Sequence, residues 1–132
     1  MFQTKLNLHF YDCDPAGIIF YANLFKLAHI AFEEFLNSIS PERNLFYDNE
    51  IILPVIHSEA DYKKPLKAFD RPVCKVVVKD LRDSSFQIQY IFSINDEVYA
   101  EASTVHVCVD KKSFQKTNLP EYLKQKLSEE LG

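Results

Sequence analysis

The chain has 132 residues and a formal net charge of −4, which excludes a multidomain assembly and disfavours binding to the nucleic-acid backbone. With 47% hydrophobic and 14% aromatic residues it can bury roughly two thirds of the surface its unfolded form exposes, so disorder is excluded as well. No segment approaches the ~18 consecutive apolar residues of a membrane span, and no basic run is longer than a pair. Three cysteines, Cys13, Cys74 and Cys108, lie too far apart for a zinc pattern and are odd in number for a disulfide framework. The chain therefore reads as one domain over residues 1–132, soluble and cytoplasmic, with no signal peptide, no metal and no cofactor.

At the N-terminus Phe2, Leu6, Leu8 and Phe10 alternate with Gln3, Lys5, Asn7 and His9. That period of two predicts a strand with one buried face. It runs into Asp12-Cys13-Asp14-Pro15-Ala16-Gly17, where Pro15 sets its own φ and biases Asp14 towards extended backbone. Of the two glycines, Gly132 is the last residue and Gly17 the only internal one, so the backbone must turn sharply or meet a ligand closely there. Cys13 lies between two carboxylates, which should raise its thiol pKa and make it a poor nucleophile.

From Ile18 to Leu36 the period becomes helical. Phe20, Leu24, Leu27, Ala28, Ala31 and Phe35 form one stripe, and Phe25, His29, Phe32 and Leu36 widen it. So apolar a helix must be largely enclosed by the rest of the fold. Asn37-Ser38-Ile39-Ser40-Pro41 ends it. Residues 42–52 form a mixed connection with room for a short helical turn. Four strands follow, over residues 54–62, 72–81, 85–94 and 98–109, with Asn95-Asp96 as a hairpin turn. Their short connections predict an antiparallel meander. Leu123, Leu127 and Leu131 recur at i+4 in a tail that reads as a short surface helix. The architecture these elements demand is α+β, an antiparallel sheet wrapped around a long central helix. Such a sheet keeps an open edge, and a second copy is the expected cover.

The run Asp12-Cys13-Asp14-Pro15-Ala16-Gly17-Ile18, followed by Tyr21, Asn23 and a long helix, resembles the active-site signature of the hot-dog-fold thioesterases, the 4-hydroxybenzoyl-CoA thioesterase family above all. The element order is the hot-dog order, so the resemblance covers most of the chain. It implies an acyl-CoA thioesterase with Asp14 as nucleophile or general base. The backbone N–H of Tyr21 would polarise the thioester oxygen, and Gly17 and Ile18 would border the acyl group. Asp12 reads more as a turn-fixing residue than as a catalyst. The segments around His57 and His106 resemble those of the hot-dog hydrolases of 1,4-dihydroxy-2-naphthoyl-CoA. That likeness would place His57 in the acyl pocket, bonded to a ring hydroxyl. His9 and His29 read as solvated or satisfied histidines. The family's basic cluster for the CoA phosphates is reduced here to Arg82, with Lys63, Lys64 and Lys67 or Lys111, Lys112 and Lys116 as substitutes.

The partners expected are an acyl-CoA and a second copy of the chain, in a homodimer or homotetramer with the active site at the subunit interface. Neither nucleic acid nor membrane is expected. A short- or medium-chain acyl-CoA or acyl-carrier-protein thioesterase is the alternative, and a noncatalytic acyl-binding protein a further one. Aspartyl-phosphate phosphatases need a parallel α/β domain and a later acidic pair that the chain lacks. Hot-dog dehydratases need a histidine near the aspartate, and none follows Asp14 before His29.

Overall fold

A computed structural model describes residues 1–42, 44–48 and 50–132, so Arg43 and Asn49 of the connecting segment lie outside the described residues. The elements in chain order are β1 (Phe2–Lys5), α1 (Asn23–Ile39), β2 (Ile51–Ile52), β3 (Val55–Tyr62), β4 (Val73–Lys79), β5 (Ser85–Ile94), β6 (Glu97–Val107), β7 (Val109–Asp110) and α2 (Glu121–Ser128). Five strands make one antiparallel sheet in the order β1-β4-β5-β6-β3, and β2 pairs with β7 in a second, small one.

The β4-β5-β6 part is the expected meander. The rest is not, because β3 crosses over to pair with β6 and β1 pairs with β4. Asn95 and Asp96 both have positive φ, 51° and 64°, which is the twist-matched two-residue hairpin turn that their side chains tolerate. Phe86, Ile88, Tyr90 and Phe92 of β5 point at α1 and are buried, while Gln87 and Gln89 between them are half-buried on the outer face. From α1 they meet a buried set of Leu24, Leu27, Ala28, Ala31, Phe32, Phe35 and Leu36. Removing each Leu, Ile or Phe side chain of this set from water contributes about 1.5–3 kcal/mol, which is why the sheet curls around this helix.

Three expectations need correction. Regular strand pairing ends at Lys5; Leu6 and Leu8 still bond Pro72 and Asp70 through their amides, but Phe10 enters a 3₁₀ turn and is 74% exposed rather than buried. The helix starts at Asn23, so Phe20 stands in the preceding loop, outside the buried stripe. The tail helix is no mere surface element: Leu123 and Leu127 are completely buried in the core, and only Leu131 emerges. The strands β1 and β3 form the two edges of the sheet, and all residues of β3 but Ala60 are exposed.

Candidate active site

The loop that carries Asp14 is closed by its own backbone. Asp14 N donates to Ile18 O at 2.9 Å and Gly17 N to Asp14 O at 2.9 Å. The Ala16 amide donates to Asp14 Oδ1 at 2.9 Å, an Asx turn that ties one carboxylate oxygen into the loop. Oδ2 has no hydrogen-bond partner among the described residues. Gly17 has φ +79°, in the left-handed region, and a β-carbon there would meet nothing within 4 Å. The demand for glycine is thus conformational rather than one of space.

Asp12 holds the other side of the loop. Its carboxylate is buried, accepts from His9 N at 2.9 Å and pairs with Lys26 of α1. Burial works against the charged form, but the Lys26 ammonium and the His9 amide outweigh it, so the carboxyl lies below the ordinary carboxylate range. The Asp12 carbonyl accepts from Phe20 N and from the Asn23 side chain, each at 2.9 Å. Asp12 thereby fixes the start of α1, the turn-fixing role expected of it. Cys13 is half-buried, and burial together with Asp12, Asp14 and Asp70 raises its thiol pKa, which removes it as a nucleophile at neutral pH.

Tyr21 follows directly. Its carbonyl accepts from Leu24 N at 3.3 Å and from the Tyr62 hydroxyl of β3, whereas its own N–H has no acceptor among the described residues. An amide left open just before a helix is oriented by the bonds on either side of it. Here those are Asn23 N to Phe20 O at 2.8 Å on one side and the Tyr62 contact on the other. Asp14, Ile18, Ile19, Tyr21 and the Tyr62–Leu66 stretch line a cavity of about 400 Å³, mostly apolar. Lys63 and Lys64 stand at its wall, in ion pairs with Glu101 at 3.6 Å and Glu97 at 2.5 Å.

A second cavity, of about 190 Å³, opens at the other half of the same edge strand between Val55 and Ser58 of β3 and Phe25 and His29 of α1. Its inner wall is Tyr90, Thr104 and His106. The imidazole of His106 is wholly buried and packs against the rings of both Phe32 and Phe86, at centroid distances of 4.3 and 5.1 Å. Burial, partly offset by its bond to the Leu53 carbonyl, holds its pKa down to about 4.

Of the residues expected at the site, Asp14, Ile18 and Tyr21 meet in the first cavity, with Gly17 shaping the loop beneath them. His57 and Arg82 do not join them. Pairing of Ser58 with Thr104 and Ala60 with Ala102 turns Ser58, Ala60 and Tyr62 towards α1, so His57 faces away, 3.8 Å from Glu59. A register irregularity between Val55 and His57 sets that parity. Arg82 lies in the turn between β4 and β5, bonded to Asp80 at 3.1 Å. The first cavity abuts the opposite end of those strands, where the amides of Lys63 and Lys64 bond the Tyr99 carbonyl. Tyr62 and Tyr90 were missed by sequence reasoning, since each looks like an ordinary strand aromatic. His106 left one signal, a histidine alternating with valines in an apolar strand.

The protein-family model described as the thioesterase-like superfamily matches residues 8–127. A 1,4-dihydroxy-2-naphthoyl-CoA hydrolase of Synechococcus elongatus is 31% identical over 124 residues, covering 92% of this chain and 91% of the relative. A protein of the same name from Gloeothece citriformis is 34% identical over 121 residues, covering 89% and 85%. The crystal structure of a 1,4-dihydroxy-2-naphthoyl-CoA thioesterase from Synechocystis superposes with a TM-score of 0.86 at 23% identity, covering 96% of this chain and 95% of that one, and so has the same fold.

Proposed function

The chain belongs to the thioesterase-like superfamily and is a thioester hydrolase, and from that premise we propose that it hydrolyses an aromatic acyl-CoA, with 1,4-dihydroxy-2-naphthoyl-CoA foremost, through the Asp14 carboxylate. The observation that carries this reading is the sharing of one cavity by a carboxylate oxygen of Asp14 and by Tyr21, that oxygen and the Tyr21 amide both lacking a hydrogen-bond partner among the described residues. The names borne by the sequence relatives supply the acyl group.

The chemistry follows from those two groups. In one route Asp14 Oδ2 attacks the thioester carbon, and the carbonyl electrons move to an oxyanion that the Tyr21 N–H binds. Collapse expels the CoA thiolate, a good leaving group, and leaves an acyl–aspartyl anhydride that water cleaves to the free acid. In the other route Asp14 takes a proton from a water that attacks the same carbon. Both yield a carboxylic acid and a thiol, and both need the same oxyanion donor.

The site needs a second copy. In one chain the Asp14 cavity borders the C-terminal half of β3 and the Tyr90–His106 cavity its N-terminal half. Antiparallel pairing of two β3 edges about their midpoint, Ser58–Glu59, sets Val55 of one protomer opposite Tyr62 of the partner subunit. Each Asp14 cavity then adjoins the other protomer's second cavity, which joins a reacting end to an acyl pocket. The same pairing covers the unpaired edge amides and carbonyls. Lys63 and Lys64 are placed to meet the CoA phosphates, since exposed ion pairs such as theirs contribute only about 0–1 kcal/mol and exchange readily. Multi-angle light scattering is expected to give an even-numbered oligomer; a stable, fully active monomer would exclude the shared site.

The reaction is tested by thiol release from a panel of benzoyl, hydroxybenzoyl, dihydroxynaphthoyl, short-chain and long-chain acyl-CoA thioesters. Preferential turnover of the aromatic members supports the proposal. Selective short-chain turnover, or turnover of acyl-carrier-protein thioesters alone, replaces the substrate with the corresponding acyl group or carrier.

A further inference from the structure

The second cavity ends on a hydrogen-bond chain whose direction is determined from one end. His106 Nδ1 lies 3.1 Å from the Leu53 carbonyl oxygen, which can only accept, so Nδ1 carries the proton. Nε2 is then a bare acceptor and takes the Thr104 hydroxyl proton at 2.8 Å. Thr104 has only one proton to give, so its oxygen accepts from the Tyr90 hydroxyl at 2.9 Å. Tyr90 in turn has spent its only proton. Donation therefore runs Tyr90 to Thr104 to His106 to Leu53, and what remains at the outer end of the chain is acceptor capacity on the phenol oxygen.

Among the described residues no further hydrogen bond reaches the Tyr90, Thr104 or His106 side chains to reverse this order. The imidazole stays neutral because it is buried, with its ring packed against those of Phe32 and Phe86. The Tyr90 hydroxyl is disfavoured from ionising, its pKa pushed up beyond that of an ordinary phenol by the same burial. His29, at the cavity rim, pairs outward with Glu33 at 3.3 Å. The Ser58 hydroxyl, also at the rim, has no partner among the described residues.

We propose that Tyr90, oriented by Thr104 and His106, is a specificity-determining residue that accepts a hydrogen bond from a hydroxyl on the acyl ring, so the enzyme selects acyl groups bearing an O–H donor. This rests on the aromatic thioesterase reading above and assigns its ring recognition to the inner wall of the second cavity rather than to His57. A buried acceptor that stays unmatched when the ligand lacks a donor is the arrangement that discriminates most strongly against the stripped analogue.

The test compares hydroxybenzoyl-CoA isomers with the matching methoxybenzoyl-CoA isomers and with benzoyl-CoA. A methoxy group keeps the oxygen but has no proton to donate, which separates hydrogen-bond donation from the mere presence of a ring oxygen. Wild type is expected to favour at least one hydroxy isomer over both its methoxy counterpart and benzoyl-CoA by roughly 10- to 100-fold in kcat/KM. Tyr90→Phe, which keeps the ring packing, is expected to reduce that preference to within about threefold, by losing more kcat/KM on the hydroxy isomer than on benzoyl-CoA. Wild-type turnover without a hydroxyl preference, or a preference that survives in Tyr90→Phe, overturns the assignment and leaves the thioesterase reading standing. Absence of turnover on every aromatic thioester overturns both.

Discussion

Replacing Asp14 with asparagine is expected to lower kcat on the best thioester by a factor of about 10²–10⁴, with KM changed no more than about threefold. The substitution is nearly isosteric, and the amide oxygen can still accept from the Ala16 N–H that closes the loop. Lost is the charge on the second oxygen, the group available either to attack carbon or to take a proton from water. The Tyr21 amide is backbone and stays in place, so residual catalysis from oxyanion binding should persist in the variant. Two readouts decide the matter: thiol release under saturating substrate, and a thermal melt confirming that the fold is unchanged. Retention of more than a tenth of wild-type kcat in a properly folded variant would remove Asp14 from the mechanism. In wild type, a burst of thiol stoichiometric with active sites would identify the anhydride route.

The second large effect is on stability and concerns His106. Its pKa is about 4 in the folded chain against an ordinary 6.5, so the native state holds the ring neutral over a range where the unfolded chain protonates it. The associated stability is fully present above pH 6.5 and is lost as pH falls from there to about 4. The interval from 6.5 to about 4, at about 1.4 kcal/mol per pH unit, makes the loss about 3–4 kcal/mol. The window is distinct from that of Asp12, whose pKa is lowered from 3.8 and whose contribution disappears only below that range. Urea unfolding at intervals from pH 7.5 to pH 4 should therefore show a steady fall in wild type. His106→Gln, which keeps a neutral hydrogen-bonding side chain, should be less stable at pH 7.5 but nearly flat over the same interval. An equal slope in both proteins would assign the acid sensitivity elsewhere.

Much of this molecule was legible in the chain alone. The helical stripe from Leu24 to Leu36, the alternation in β5, the Asn95-Asp96 turn and the Asp14–Gly17 loop all emerged where the residues predict them. These are local features, in which periodicity and turn chemistry act over a few residues and need no knowledge of the partner element. The Asp14 loop is the extreme case, because its bonds run among residues 14 to 18 and its left-handed position demands glycine.

Position across the sheet was not legible, and tertiary structure alone decided it. His57 and His106 both stand in β-rich segments, yet one faces away from the helix and the other is its most enclosed polar neighbour. Facing alternates every residue along a strand, so one irregularity near Val55 decides the side for all that follow. On the edge strand β3, with Val55, Ile56 and His57 all exposed, hydrophobicity carries no trace of that choice. Arg82 had to be placed at one end of the strands or the other by the sheet order, and it fell at the end away from Asp14. The sequence by itself determined the reactive loop and the helix behind it, because short-range backbone chemistry suffices for both. Only the fold decided which distant side chains complete the site, because register and strand order are properties of elements paired far apart in the chain.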